Sequence, residues 1–107
     1  MRTHGYAWSM EKVITILSVL SEPTRLAALR ILWDGGEHCV CELMAKLDAS
    51  QSRMSRHMAA LKQAGLVKDR RDAQWVRYRR EPNLPESIRA IVDAAIAAIP
   101  EQQKEAA

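Results

Sequence analysis

No apolar run in this 107-residue chain approaches the ~20 residues that a bilayer crossing needs. Glu11 and Lys12 break the N-terminal region before the uninterrupted core of a signal peptide forms. The expected location is therefore the cytoplasm, with no membrane partner. There are only two cysteines, Cys39 and Cys41. In a reducing compartment such a pair reads as thiols, not as a structural disulfide. The three histidines are scattered and the four glycines form no phosphate-cradling loop. That supplies no nucleophile–base constellation, so the chain is not expected to be an enzyme, nor to need an obligatory cofactor. Repeats are absent, and the one biased segment is the tail, residues 101–107, expected to be disordered or frayed.

What is present suits one compact domain, residues 1–100, with a hydrophobic fraction of 48% for its core. A domain this small buries a modest share of its surface, and a second copy is a natural source of further stability. The net charge of +3 conceals an asymmetry. Between Ser50 and Arg80 nine Lys and Arg face only Asp69 and Asp72, so that stretch carries +7 and the remainder −4. A basic block in an otherwise acidic chain is the footprint of a phosphate-backbone binder. By itself it is also what a solvated surface looks like.

The order of elements narrows the choice. Ser9 is placed to cap a first helix in which Met10, Val13, Leu17 and Leu20 recur at helical spacing. Pro23 opens a second helix that runs from Thr24 to about Asp34, stopped by Gly35-Gly36. A short third helix covers Val40 to Leu47. After the tight connection Asp48-Ala-Ser50, a fourth runs from about Gln51 to Ala64 and ends at Gly65. Two extended runs follow, 66–71 and 74–80, joined at Asp72-Ala73. A last helix, about Glu86 to Ile99, presents Ile88, Ile91, Val92, Ala95, Ile96 and Ile99. The fold class is thus mainly α with a small β-hairpin, a winged helix-turn-helix.

In the fourth helix Met54, Met58 and Leu61 share the face that must be buried. Ser52, Arg56, Ala59 and Gln63 form the opposite face, with Arg53 and Ser55 on its flanks. Short hydrogen-bonding and cationic side chains of this kind suit a major groove, and Gln51 and Ser52 stand where free helix N–H groups favour phosphate. In the hairpin Val76 and Tyr78 alternate with Trp75, Arg77 and Arg79, so arginines face outward, with Arg70 and Arg71 near the tip. A charge-defended edge strand is the bland alternative.

From Leu20 to Arg80 the chain resembles the arsenic-responsive repressor family of metal and metalloid sensors (ArsR/SmtB). The resemblance rests on Leu20-Ser-Glu-Pro-Thr-Arg-Leu26, Cys39-Val-Cys-Glu-Leu43, Ser50-Gln-Ser-Arg-Met-Ser-Arg-His-Met58, Ala64-Gly-Leu-Val67 and Trp75-Val-Arg-Tyr-Arg79. It implies a homodimer through the first and last helices and a palindromic operator released when an inducer binds. It also implies DNA contact at Gln51, Ser52, Ser55, Arg56 and His57, with wing contacts at Arg70, Arg71 and Arg77. The reading by faces selects Ser52, Arg56 and the wing arginines independently, and adds Arg53; His57 borders the buried face.

Cys39 and Cys41 diverge by about 200° on a regular helix, yet converge at a frayed helix start. Soft thiolates select thiophilic centres such as As(III) or Sb(III), and a helix N-terminus favours thiolate. In the family's arsenic sensors a third sulfur often follows three residues on; here Met44 stands in that place. Water, a small thiol, His38 or His4 are the candidates to complete the site. The last helix has no histidine for the family's alternative metal site. Other readings of the pair are another thiophilic metal ion, thiol oxidation or a polysulfide bridge, and ordinary buried thiols. A non-DNA interaction module on the same fold is the rival function.

Overall fold

The computed structural model describes residues 9–100. His4 and the tail 101–107 lie outside them. Five helices and three strands follow one another: α1 (Met10–Leu20), α2 (Pro23–Leu32), β1 (His38–Cys39), α3 (Val40–Leu47), α4 (Gln51–Gln63), β2 (Val67–Asp72), β3 (Trp75–Arg80) and α5 (Glu86–Ala97).

The helix starts follow local chemistry. Ser9 Oγ accepts from Lys12 N at 3.3 Å and Ser50 Oγ from Arg53 N at 3.2 Å, each satisfying an orphan N–H. At α2 the cap is Glu22, whose carboxylate accepts from Arg25 N at 2.9 Å, so Pro23 takes the first helical position. α4 ends in a Schellman arrangement. Gly65 adopts φ +85°, Gly65 N donates to Lys62 O and Leu66 N to Leu61 O.

One cluster of buried side chains joins all the helices. Leu29, Leu32, Leu43, Met54, Met58, Leu61, Leu66 and Val92 are fully enclosed, and Tyr78 and Val67 bring the sheet onto them. Met54, Met58 and Leu61 are thus the inner face of α4, as their spacing requires. α1 divides its apolar residues between two sides. Its buried residues are Ile16, Val19 and Leu20, while Met10, Ile14 and Leu17 point away from the core. The helix is apolar on two sides, which one helical period cannot reveal.

The hairpin has a third strand. β1 joins it antiparallel in the order β1-β3-β2, pairing His38 with Tyr78 and Cys39 with Arg77. A two-residue strand has no periodicity of its own; its partner forty residues away defines it. β2 and β3 pair in register from Val67–Arg80 to Asp72–Trp75, turning at Ala73, which takes φ +59°. Arg80 crosses beneath, donates to Trp33 O at 3.1 Å and stacks 5.3 Å from the Trp33 ring. Trp33 Nε1 in turn donates to Asp93 on α5.

Candidate nucleic-acid interface and thiol pair

Burial of Met54, Met58 and Leu61 turns the rest of α4 outward. Gln51, Ser52, Arg53, Ser55 and Arg56 are all exposed along one side of the helix. His57 is not among them. Its side chain is only 15% exposed, with Nδ1 3.8 Å from Glu22 Oε1 and 3.5 Å from an Arg25 guanidinium nitrogen. The structure therefore sets His57 between α4 and the start of α2, while the other five share the open surface.

On the wing, strand parity aligns Lys68, Arg70 and Asp72 with Arg79, Arg77 and Trp75. Arg70 and Arg77 are directly opposite, and each is held by a carboxylate. Arg70 is gripped by both oxygens of Glu37 at 2.9 and 2.7 Å, and Arg77 Nε donates to Asp72 at 2.7 Å. The Arg70 hydrogen bonds hold the Glu37 carboxyl below its ordinary range, and Arg77 does the same for Asp72. Arg71 is exposed with no ion pair among the described residues. Lys68 and Arg79 line the same open groove as Glu37, Arg70 and Arg77. Arg79 faces outward as the strand alternation requires; Lys68 counted in the sequence only within the basic block, and its two-residue spacing from Arg70 was the available signal.

The thiol pair lies where β1 becomes α3. Cys39 is extended (φ −68°, ψ 144°) and buried, and its sulfur caps α3 by accepting from Cys41 N at 3.2 Å. Cys41 stands exposed in the first turn. The Cα atoms are 5.1 Å apart and the sulfurs are joined as a disulfide. This corrects the expectation of two free thiols. The physical reason is the extended cap residue, which swings Cys39 out of helical phase so that the two side chains meet rather than diverge.

The candidate third donors are placed elsewhere. His38 Nε2 lies 3.0 Å from Asp34 and Nδ1 2.9 Å from Glu42, which also takes Lys46 at 3.0 Å. Burial opposes charge on this ring, but the bonds to Asp34 and Glu42 outweigh it and raise its pKa. Met44 packs half-buried against the core. Among the described residues no group of three or more His, Cys, Asp or Glu is arranged to hold a metal ion. The two sulfurs converge without a third protein ligand from that set.

A short helix, a tight connection, a helix with a polar outer face and a basic wing form a winged helix-turn-helix. Comparison with known proteins agrees. The profile of the family described as bacterial regulatory protein, arsR family, matches residues 22–69. The arsenical resistance operon repressor of Escherichia coli is 42% identical over 82 residues, 77% of this chain and 70% of that protein. The arsenic resistance transcriptional regulator ArsR2 of Pseudomonas putida is 41% identical over 83 residues, 78% of this chain and 72% of that protein. Among solved structures, reduced HlyU from Vibrio cholerae superposes with a TM-score of 0.67 at 33% identity, covering 78% of this chain and 84% of that one.

Proposed function

This chain belongs to the arsR family of bacterial regulatory proteins, DNA-binding regulators and not enzymes, and from that membership we propose a repressor that releases its operator when a trivalent metalloid binds Cys39 and Cys41. The observation that carries the reading is position. The converging sulfurs sit at the first turn of α3, one short helix before the outward polar face of α4.

The protein acts as a homodimer through α1 and α5 on a palindromic operator, with two α4 helices about 34 Å apart, one turn of DNA. Gln51, Ser52, Arg53, Ser55 and Arg56 face base edges and phosphates, and Arg70, Arg71 and Arg77 hold the backbone beside them. His57 supports α4 from behind.

Once a small cellular thiol has reduced the Cys39–Cys41 disulfide by exchange, itself leaving as its own disulfide, the pair binds arsenite or antimonite as thiols. Each sulfur displaces one hydroxide from As(OH)3 or Sb(OH)3, and each thiol proton leaves with that hydroxide as water. The remaining hydroxide, or a small thiol, fills the third position that Met44 does not. Forming both bonds fixes the cap of α3, and the strain falls on the helix-turn-helix. A ligand that prefers the DNA-free form ~100-fold supplies about 2.7 kcal/mol of coupling. The joined sulfurs favour a second reading, in which an oxidant closing the Cys39–Cys41 disulfide is itself the inducing event.

The test is a fluorescence-anisotropy titration of the reduced protein on its own upstream DNA. Tight, salt-sensitive binding that arsenite weakens ~100-fold is expected. The Cys39→Ser/Cys41→Ser variant should still bind DNA and ignore arsenite. Release by an oxidant and not by arsenite selects the second reading. Arsenite release that survives loss of both cysteines overturns the site.

A further inference from the structure

The outer face of the wing carries four cations in two facing pairs, Lys68 opposite Arg79 and Arg70 opposite Arg77. Like charges directly opposite one another on a sheet repel. Two carboxylates relieve this, and they come from different places. Asp72 belongs to the hairpin itself. Glu37 comes from outside it, from the segment leading into β1, and grips Arg70 with two parallel bonds.

A planar guanidinium takes a DNA phosphate in that same bidentate manner. Arg70 cannot offer those donors to Glu37 and to a phosphate at once. Glu37 also stands two residues before Cys39, and Cys39 is paired with Arg77. The hydrogen bonds to Arg70 place Glu37 on the face that bears Arg70 and Arg77, while Cys39, in register with Arg77, is buried with the core. The carboxylate clamp and the thiol pair thus share one five-residue segment laid against the wing. In the structure both are closed together: the sulfurs are joined and Glu37 is on Arg70.

We propose that Glu37 is a built-in phosphate surrogate, which holds Arg70 off DNA, yields it to an operator phosphate, and couples that exchange to the state of the Cys39–Cys41 pair. The inference rests on the DNA-binding and thiol assignments made above. Closing the pair fixes segment 37–41 against β3 and keeps Arg70 occupied. Opening it frees the segment, and the phosphate wins. The inducer signal then reaches DNA through the wing as well as through α4.

The experiment uses the full reduced chain on its upstream duplex, with and without arsenite, comparing wild type, Glu37→Gln, Arg70→Gln and the double variant. Gln keeps the size of Glu and removes its charge. Because the pair is exposed, Glu37→Gln should tighten binding about two- to fivefold. The gain should be larger with arsenite than without, so that arsenite-induced release shrinks. Arg70→Gln should weaken binding, and adding Glu37→Gln to it should restore nothing. The inference is overturned if Glu37→Gln behaves as wild type, tightens equally with and without arsenite, or tightens as much in the Arg70→Gln background. A wild-type chain that binds no DNA or ignores arsenite overturns the underlying assignments, and this inference with them, on the wild-type curves alone.

Discussion

His38 lies between two carboxylates, which favour the charged form of the ring and occupy both of its nitrogens. Asp34 is held ionised by the Gly36 N–H as well as by His38, while Glu42, despite its burial, is kept so by Lys46 and His38. The ring's folded pKa is raised above its ordinary 6.5. Its contribution to stability is therefore complete below about pH 6.5 and is lost as pH climbs through the raised folded value. The carboxylates act in the opposite range, contributing above their ordinary values and losing that contribution only as acid protonates them. His38→Gln should cost up to about 1 kcal/mol near pH 5.5, limited by the exposure of Asp34, and clearly less at pH 8. Urea melts at the two pH values measure it, and an equal cost at both would sink the assignment. The sequence shows His38 beside Cys39 and so suggests a ligand. What it hides is the path through Gly35-Gly36, where Gly36 N bonds Asp34 and the backbone folds Asp34 back onto the ring. The orientation of His57 is hidden for a related reason. Its motif places it on α4, but only the approach of Glu22 and Arg25, over thirty residues earlier, shows which way it faces.

Elements with their own period are legible, and those defined by a distant partner are not. α4 can be read from Met54, Met58 and Leu61 because burial at 3.6-residue spacing leaves one solution for the opposite face. Its end is equally local. Gly65 is in the left-handed region, and the bonds from Gly65 N and Leu66 N close the last turn and aim the chain into β2. A Cβ at that φ is strained, so Gly65→Ala should lower stability by about 1 kcal/mol in denaturant unfolding, with no change in the urea dependence. A neutral result would mean that the turn relaxes to another conformation. β1 is the contrary case. Nothing in Glu37-His-Cys marks a strand, because its hydrogen bonds are owed to Tyr78 and Arg77. The clamp of Glu37 on Arg70 spans 33 residues and is invisible for the same reason. The convergence of the cysteines falls between the two. The helix start at Val40 is readable, but the extended turn at Cys39 that brings the sulfurs together is set by its pairing with β3.

At the scale of the molecule, α1 has more apolar surface than one protomer uses. Its Ile16, Val19 and Leu20 enter the core, whereas Met10, Ile14 and Leu17 remain 77%, 56% and 48% exposed. These three stand at i, i+4 and i+7, so they form one continuous stripe on the side away from the core. Beside the helix bundle an open groove between α2 and α5 is lined by Leu26, Ala95 and Ile99. A second copy covering this side would give the two α4 helices a fixed separation, and it would do so with residues that leave the protomer's own core intact. Ile14→Glu tests the arrangement, since the added charge meets water in a monomer and an apolar face in a dimer. Sedimentation should give the wild type twice the 12.1 kDa of one chain and the variant 12.1 kDa, with helical circular dichroism unchanged. Operator affinity should fall at least ~100-fold, because each half-site would then be bound without the effective concentration the partner supplies. A variant that keeps the double mass would place the dimer contact on another face. A variant that becomes monomeric yet binds its operator undiminished would show that one wing and one α4 suffice, and would remove the two-fold operator from the proposed function.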